Sequence, residues 1–287
     1  MNYPNEIIKC LYERASVRSF TDQEVTDETL RTIIDAGCHA ATGGNLQPYS
    51  IIEIRSDEKK DALMATGCMQ SIVKHAPVSL LFCIDWHRIE RWAKYNHAPH
   101  AMRDSYRHFW IAFQDTVIAA QNVCTATDSL GLGSVYLGTV ESCFDDLRPM
   151  FNLPEGVFPV VIVSLGYPKK VPEIAPKLLY DDIVHSESYQ NLTDETIDEM
   201  MTKKYGDKKS PPLSDKNIAQ LYEVNKEVHG FDYADASINY ANKLGHIHIA
   251  QRYFGLHYVA TEIRKGNQEF LNSIKRAGFD WINGTSY

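Results

Sequence analysis

The sequence predicts an α+β fold that carries a helical C-terminal extension, and three observations lead there. Signals in the first 190 residues run helix, helix, strand, strand, helix, strand, which suits a layered α+β domain better than regular strand–helix alternation. No G-x-G-x-x-G turn marks a doubly wound dinucleotide domain. Beyond Tyr189 the pattern becomes almost wholly helical. The expected organisation is therefore a core over residues 1–190 and a helical extension over 191–287, packed on the core or on a partner subunit.

Each element has its own signal. Ile7, Ile8, Cys10 and Leu11 recur at helical spacing within Glu6 to Glu13. Thr26 and Asp27 cap a second helix that runs through Leu30, Ile33 and Ile34 to Ala41. The runs 50–54 and 78–84 are short, β-branched and apolar, as strands are. Trp110 to Thr127 is a long helix, apolar on more than one face, that Gly131-Leu132-Gly133 stops; such helices are buried or shared with a partner. Val157 to Leu165 is continuous enough in hydrophobicity to mark an internal strand. In the tail, a charged break at 203–212 precedes an aromatic-rich stretch, Tyr233 to Ile263, expected as one long helix with weak points at Gly245 and Gly255.

Composition narrows the function. Of 287 residues, 44% are hydrophobic and 23% charged, ordinary proportions for a globular protein. No run approaches the ~20 apolar residues of a membrane span, and Gln114 and Asp115 interrupt the stickiest stretch. The amino end shows no secretory signal, so a cytoplasmic protein is expected. Lys and Arg number 29 against 37 Asp and Glu, a net charge of −8 that argues against a nucleic-acid partner. Cys10, Cys38, Cys68, Cys83, Cys124 and Cys143 are scattered without a Cys-x-x-Cys pair, so they read as free buried thiols rather than metal ligands or a disulfide framework.

Three segments carry candidate chemistry. In Arg14-Ala15-Ser16-Val17-Arg18, an extended chain would project Arg14, Ser16 and Arg18 from one side, where two guanidinium forks and a hydroxyl can hold a phosphate. The second segment runs from Thr42 to Pro48, between a helix and a strand. Gly43 and Gly44 allow close approach of a flat ligand, Asn45 and Gln47 offer amides for a heterocycle edge, and Pro48 fixes the turn. The third, Gly131 to Thr139, is glycine-rich, with Gly138 five residues after Gly133. Each alone is equally an ordinary loop. No Ser/His/Asp or Cys/His arrangement stands out.

Taken together in this order, the segments resemble the FMN-dependent nitroreductase family, nearest its oxygen-insensitive nitroreductase and flavin reductase P branch. Further pieces add to the resemblance: Cys83 to Arg88, Val157 to Pro168, Pro176 to His185, and the closing Phe270 to Phe279. The resemblance implies a central, mostly antiparallel sheet flanked by helices in an intertwined homodimer, with FMN at the subunit interface. It implies that Arg14, Ser16 and Arg18 hold the FMN phosphate, with Arg18 also near the flavin N1 edge. Thr42, Gly44, Asn45, Gln47 and Pro48 match the flavin-contacting loop, part of it reaching across from the second subunit. Gln70 matches a side chain facing the pyrimidine ring, and Leu137, Gly138 and Thr139 match the turn whose backbone N–H lies against flavin N5. Lys177 stands where the family usually has a phosphate-binding arginine, and Ala175 where this branch often has a lysine; a lysine offers a point charge instead of a fork. The segment from Tyr205 to Phe270 shows no clear counterpart in the family.

The implied activity is a ping-pong transfer of electrons from NAD(P)H through flavin N5 to a small aromatic acceptor: a nitroaromatic, a quinone or a flavin. Reductive dehalogenation and flavin fragmentation are alternatives on the same fold. His87, Trp92, Tyr95, Trp110 and Phe113 are candidates for lining the acceptor cleft, or simple packing residues. A rival of another class is a metal-dependent hydrolase: if helical, His100, Asp104 and His108 share a face, with His97 nearby.

Overall fold

The computed structural model describes residues 2–170, 172–206 and 210–281; part of the charged break, residues 207–209, lies outside the described residues. The chain divides into two compact units, residues 1–174 with 270–287, and residues 175–269. The 190/191 boundary expected from the sequence falls inside the second unit.

In the first unit, α1 (Glu6–Glu13), α2 (Asp27–Cys38), β1 (Tyr49–Ile54), α3 (Asp57–Ala65), α4 (Ile72–His75), β2 (Val78–Asp85), α5 (Trp86–Tyr95), α6 (Tyr106–Ser129), β3 (Gly133–Leu137), α7 (Phe144–Met150) and β4 (Val157–Gly166) follow in order. Helix starts carry side-chain caps: Asn5, Thr26, Ser56 and Asp85 each accept a backbone N–H from the first turn. The four strands form one antiparallel sheet in the order β1-β2-β4-β3.

Helices cover both faces of this sheet. Leu80, Phe82 and Ile84 of β2 pack toward a cluster that includes Leu30 and Ile33 of α2 and Ala112, Ala119 and Val123 of α6. Leu81 and Cys83 pack toward a second cluster with Leu63 of α3, Val73 of α4 and Leu147 of α7. The alternation explains why β2 and β4 are buried along their whole length. It breaks once. The register slips between Phe82↔Val161 and Cys83↔Pro159, leaving Val160 as the extra residue of a β-bulge. The slip keeps Phe158 and Val160 on the same side as Val161, Val163 and Leu165. It also accommodates Pro159, which has no N–H to give to a central ladder. At the paired positions Ser79 and Ser164, the two buried hydroxyls satisfy each other at 2.7 Å.

The last helix belongs to this unit. In the helix Asn267–Arg276 and just after it, Phe270 and Phe279 meet Phe158 and Phe109 edge-on, with ring centroids 6.0 and 5.1 Å apart. The Gly156 N–H donates to the Ala277 carbonyl at 2.7 Å.

The second unit holds α8 (Tyr180–Ile183), α9 (Asp194–Tyr205), α10 (Asp215–His229), α11 (Phe231–Leu244) and α12 (Ile249–Gln251), then a π-helical turn over Arg252–His257. The single long helix expected over Tyr233 to Ile263 does not form. Gly245 at φ 76° takes the left-handed conformation that ends α11, and the chain turns there.

Candidate active site

After α1 the strip Arg14–Arg18 runs along β3, where the Val17 N–H donates to the Ser134 carbonyl at 3.0 Å. Val17 is buried, and it lies so close to Gly133 that a Cβ there would meet Val17 Cγ2 at 2.2 Å. Ser16 is half-buried and Arg18 exposed. Arg14 faces Asp128 of α6, with Nε 3.6 Å from Oδ2, and both atoms are buried without a hydrogen-bond partner. Burial pushes the Asp128 carboxyl up to about 6, with the Arg14 guanidinium opposing the rise.

The strip leads, through β3, to the third segment. Leu137 is buried at the strand end, while Gly138 and Thr139 are exposed, with nothing within 4 Å of where a Gly138 Cβ would sit. The Thr139 hydroxyl donates to the Cys68 carbonyl at 2.7 Å, bringing this turn beside the loop that bears the exposed Gln70. A disulfide joins Cys68 to Cys143, with Cα atoms 6.4 Å apart. This corrects the expectation of six free thiols. The partners are 75 residues apart, a spacing that the sequence does not flag.

The Thr42–Pro48 loop is held separately. Gly43 N–H donates to both carboxylate oxygens of Asp115 in α6, at 3.0 and 3.1 Å. Gln47 N–H donates to Thr42 Oγ1 at 3.3 Å, and Pro48 is buried. Asn45 and Gln47 join Gly44 at positive φ, 55° and 49°, a region that costs a side-chain-bearing residue about 1–3 kcal/mol. The Gln47 amide donates to the Cys38 carbonyl at 2.9 Å, so it braces the loop, while Asn45 is exposed. From α5, Arg88 Nη2 donates to the Gln47 and Tyr49 carbonyls at 2.6 and 2.8 Å. Asp85 accepts from the Ser50 hydroxyl and, at 2.9 Å, from the Arg88 N–H.

The structure thus joins the first and third segments with the Gln70 loop, and gives the second its own supports on α5 and α6. Lys177 is exposed in the second compact unit. Asp85 and Arg88 fall in the Cys83–Arg88 stretch that carries part of the resemblance, a strand-end acidic motif, while Asp115 and Asp128 were given no role from the sequence. Asp115 registered there only as an interruption of an apolar helix, and a carboxylate in such a helix is the signal that could have found it.

The metal arrangement does not form. Helix α5 ends at Tyr95, His97 has a φ of 54°, and Met102–Asp104 is a separate 3-10 turn, so His100, Asp104 and His108 share no helical face. The His100 and His108 rings instead flank Trp86, at 6.0 and 6.4 Å. Among the described residues no cluster of His, Cys, Asp or Glu can hold a metal ion. Of the cleft candidates, Trp92 and Tyr95 lie exposed on α5, and Trp110 stacks on Phe113 at 5.6 Å. Among the described residues no helix is long and apolar enough to cross a membrane.

The donor set fits FMN. Two guanidinium groups, that of Arg14 facing Asp128 without a hydrogen bond from its Nε and that of Arg18 exposed, flank the Ser16 hydroxyl on a single strip, a donor set of the kind that holds a phosphate. The turn at Gly138 leaves open space for a flat ring.

Comparison with known proteins agrees. The sequence is 34% identical over 188 residues to the NADPH-flavin oxidoreductase of Vibrio harveyi, an alignment covering 66% of this chain and 76% of that protein. It is 31% identical over 229 residues to the FMN reductase [NAD(P)H] of Bacillus subtilis, covering 76% and 92%. The solved NADPH:FMN oxidoreductase of Vibrio harveyi complexed with NAD+ superposes with a TM-score of 0.64 at 31% identity, covering 84% of this chain and 98% of that one. The family model described as "Nitroreductase family" matches residues 11–167, from the end of α1 to just past β4 and so through all three segments. The chain belongs to the nitroreductase family.

Proposed function

We propose that this protein is an FMN-dependent oxidoreductase, a cytoplasmic homodimer that takes electrons from NAD(P)H and passes them to a nitroaromatic, a quinone or free flavin in a ping-pong cycle. The observation that carries this reading is the cationic strip Arg14–Arg18 laid along β3 and continued by the open turn at Gly138. The names of the relatives, NADPH-flavin oxidoreductase and FMN reductase, support the electron donor and the cofactor.

FMN, when bound, supplies hydride chemistry at its N5, which no side chain offers. The chain's own residues bind and tune it. Arg14 and Ser16 take the phosphate, with Lys177 as a further cation. Arg18 supplies fixed positive charge near the ring edge where negative charge grows on reduction. The Thr139 hydroxyl is committed to Cys68, which leaves the backbone N–H groups of Gly138 and Thr139 as the donors of that turn. Leu137 packs beneath the turn and Gln70 serves the pyrimidine edge. The loop Thr42–Pro48 closes the site, with Gly44 allowing close approach and Asn45 offering its amide.

A second copy fits the uncovered face of α6. Trp110, Gln114, Ile118 and Gln121 follow one another at helical spacing and are exposed, Trp110 at 51% and Ile118 at 43%. Such a stripe on a long helix suits an isologous contact.

Anaerobic titration of the FMN-loaded protein with NADH and then NADPH tests the reading. Bleaching of the flavin band by at least one nicotinamide is expected, with colour restored by a nitroaromatic, a quinone or a flavin. Protein that takes up no FMN, or whose flavin neither nicotinamide bleaches, overturns it.

A further inference from the structure

Asp85 and Asp115 are the two acidic residues most completely buried among the described residues, and Asp115 is spent wholly on one loop. Asp115 holds its beginning through the Gly43 N–H, whereas Asp85 caps α5 through the Arg88 N–H and accepts from Ser50 in β1, just past the loop's end. Burying a carboxylate is costly unless its partners return the lost hydration. Asp115 is 4% exposed and is the one charged residue among those that α6 buries. Fold stability alone does not ask for a charge there, because an apolar residue of the same size would serve the core better.

The loop does ask for one. Gly44, Asn45 and Gln47 all have positive φ, and such backbone persists only where its surroundings hold it. The Gly43 N–H stands immediately before this run. A Gly43 Cβ would lie 3.0 Å from Ile111 and 3.6 Å from the Asp115 carboxylate, so the loop backbone is drawn directly onto α6.

We propose that Asp115 is a positioning residue for the flavin: through the Gly43 N–H its buried carboxylate fixes Thr42–Pro48 in the shape that receives the ring edge. The inference rests on the FMN reading above, and it adds a residue with no expected contact to the cofactor. It makes the carboxylate a functional charge held against its own desolvation, so stability and flavin affinity should respond to it in opposite directions. The raised pKa of Asp115, caused chiefly by its burial, agrees with such a cost.

Asp115→Asn keeps the shape and one acceptor oxygen but removes the charge; Asp115→Leu removes both. Three readouts separate the outcomes. In flavin-free protein, hydrogen exchange at Gly43 should speed up about tenfold in Asp115→Asn and further in Asp115→Leu. The FMN dissociation constant, followed by quenching of free FMN fluorescence, should rise about tenfold in Asp115→Asn, and more in Asp115→Leu. The melting temperature of flavin-free Asp115→Asn should equal or exceed that of the parent. A variant that binds FMN as the parent does, with unchanged Gly43 exchange, overturns the proposal. So does one that loses melting temperature and affinity together, since that marks a purely structural carboxylate. Should Asp115→Leu fail to fold, Asp115→Asn still decides. If the parent protein itself takes up no FMN, the cofactor reading fails instead, and the Gly43 exchange rates still report whether Asp115 holds the loop.

Discussion

At Gly133 the absence of a side chain is what lets the Arg14–Arg18 strip lie where it does. A methyl group there would overlap Val17 Cγ2, and Val17 is itself in the second core cluster and cannot retreat far. Gly133→Ala is expected to lower the unfolding free energy by about 1–3 kcal/mol, read from urea midpoints, and to weaken FMN binding by displacing Arg14 and Ser16. Arg14→Ala and Arg18→Ala should each lower FMN occupancy; purified variants that stay fully yellow at low FMN would contradict the assignment. Asp128 makes a pH prediction. Its folded-state pKa is raised to about 6, so its contribution to stability is fully present below its unfolded value and is lost as pH rises through about 6. A shift of about two units corresponds to at most about 3 kcal/mol. Between pH 7.5 and pH 5, the parent should therefore gain more stability than Asp128→Asn, and equal pH slopes in the two proteins would refute this. Arg14, Ser16 and Arg18 could be picked out in the sequence because their spacing carries meaning, and the structure lays them on one strip along β3. Asp115 and Asp128 could not, because their roles depend on which backbone or guanidinium the fold sets against them, and Gly43 is 72 residues from Asp115.

Elements were legible where burial imposes a period. Helix α1 and strands β1, β2 and β4 lie where the hydrophobic pattern puts them, and α6 stops at Gly131 as read. The Val160 bulge was not visible, since a nearly continuous apolar run hides which face each residue takes. In the tail, aromatic content suggested one helix, but Gly245 ended it; local backbone freedom won over composition. The Cys68–Cys143 link belongs to this scale because it ties the Gln70 loop to the turn beyond β3. Under denaturing, non-reducing conditions, thiol titration should find four free cysteines, Cys10, Cys38, Cys83 and Cys124, and two more after reduction. By loop-closure entropy, Cys143→Ser should cost about 4 kcal/mol relative to the oxidised parent. Six thiols before reduction would show that the pair stays reduced in the purified protein, as is usual for proteins of reducing compartments.

At the scale of the molecule, the three candidate segments do not have equal standing in one copy of the chain. The strip at Arg14–Arg18, the Gln70 loop and the Gly138 turn are joined through β3 and Thr139, whereas Thr42–Pro48 is braced on α5 and α6. The same helix α6 carries Asp115 on its buried side and Trp110 and Ile118 on its open side. A second copy docked on that open face would therefore be mechanically linked to the loop, which makes assembly and cofactor binding one event. Ile118→Lys places a charge at the centre of the stripe without touching the core, so the fold itself should survive with an unchanged circular dichroism spectrum. Sedimentation should show the parent as a dimer and the variant shifted toward monomer, because an unpaired charge buried in an isologous contact is met twice across the symmetry axis. FMN affinity should fall in step with the dimer fraction and recover at high protein concentration by mass action. A variant that is monomeric yet retains parental FMN affinity would show that one copy of the chain builds the whole site.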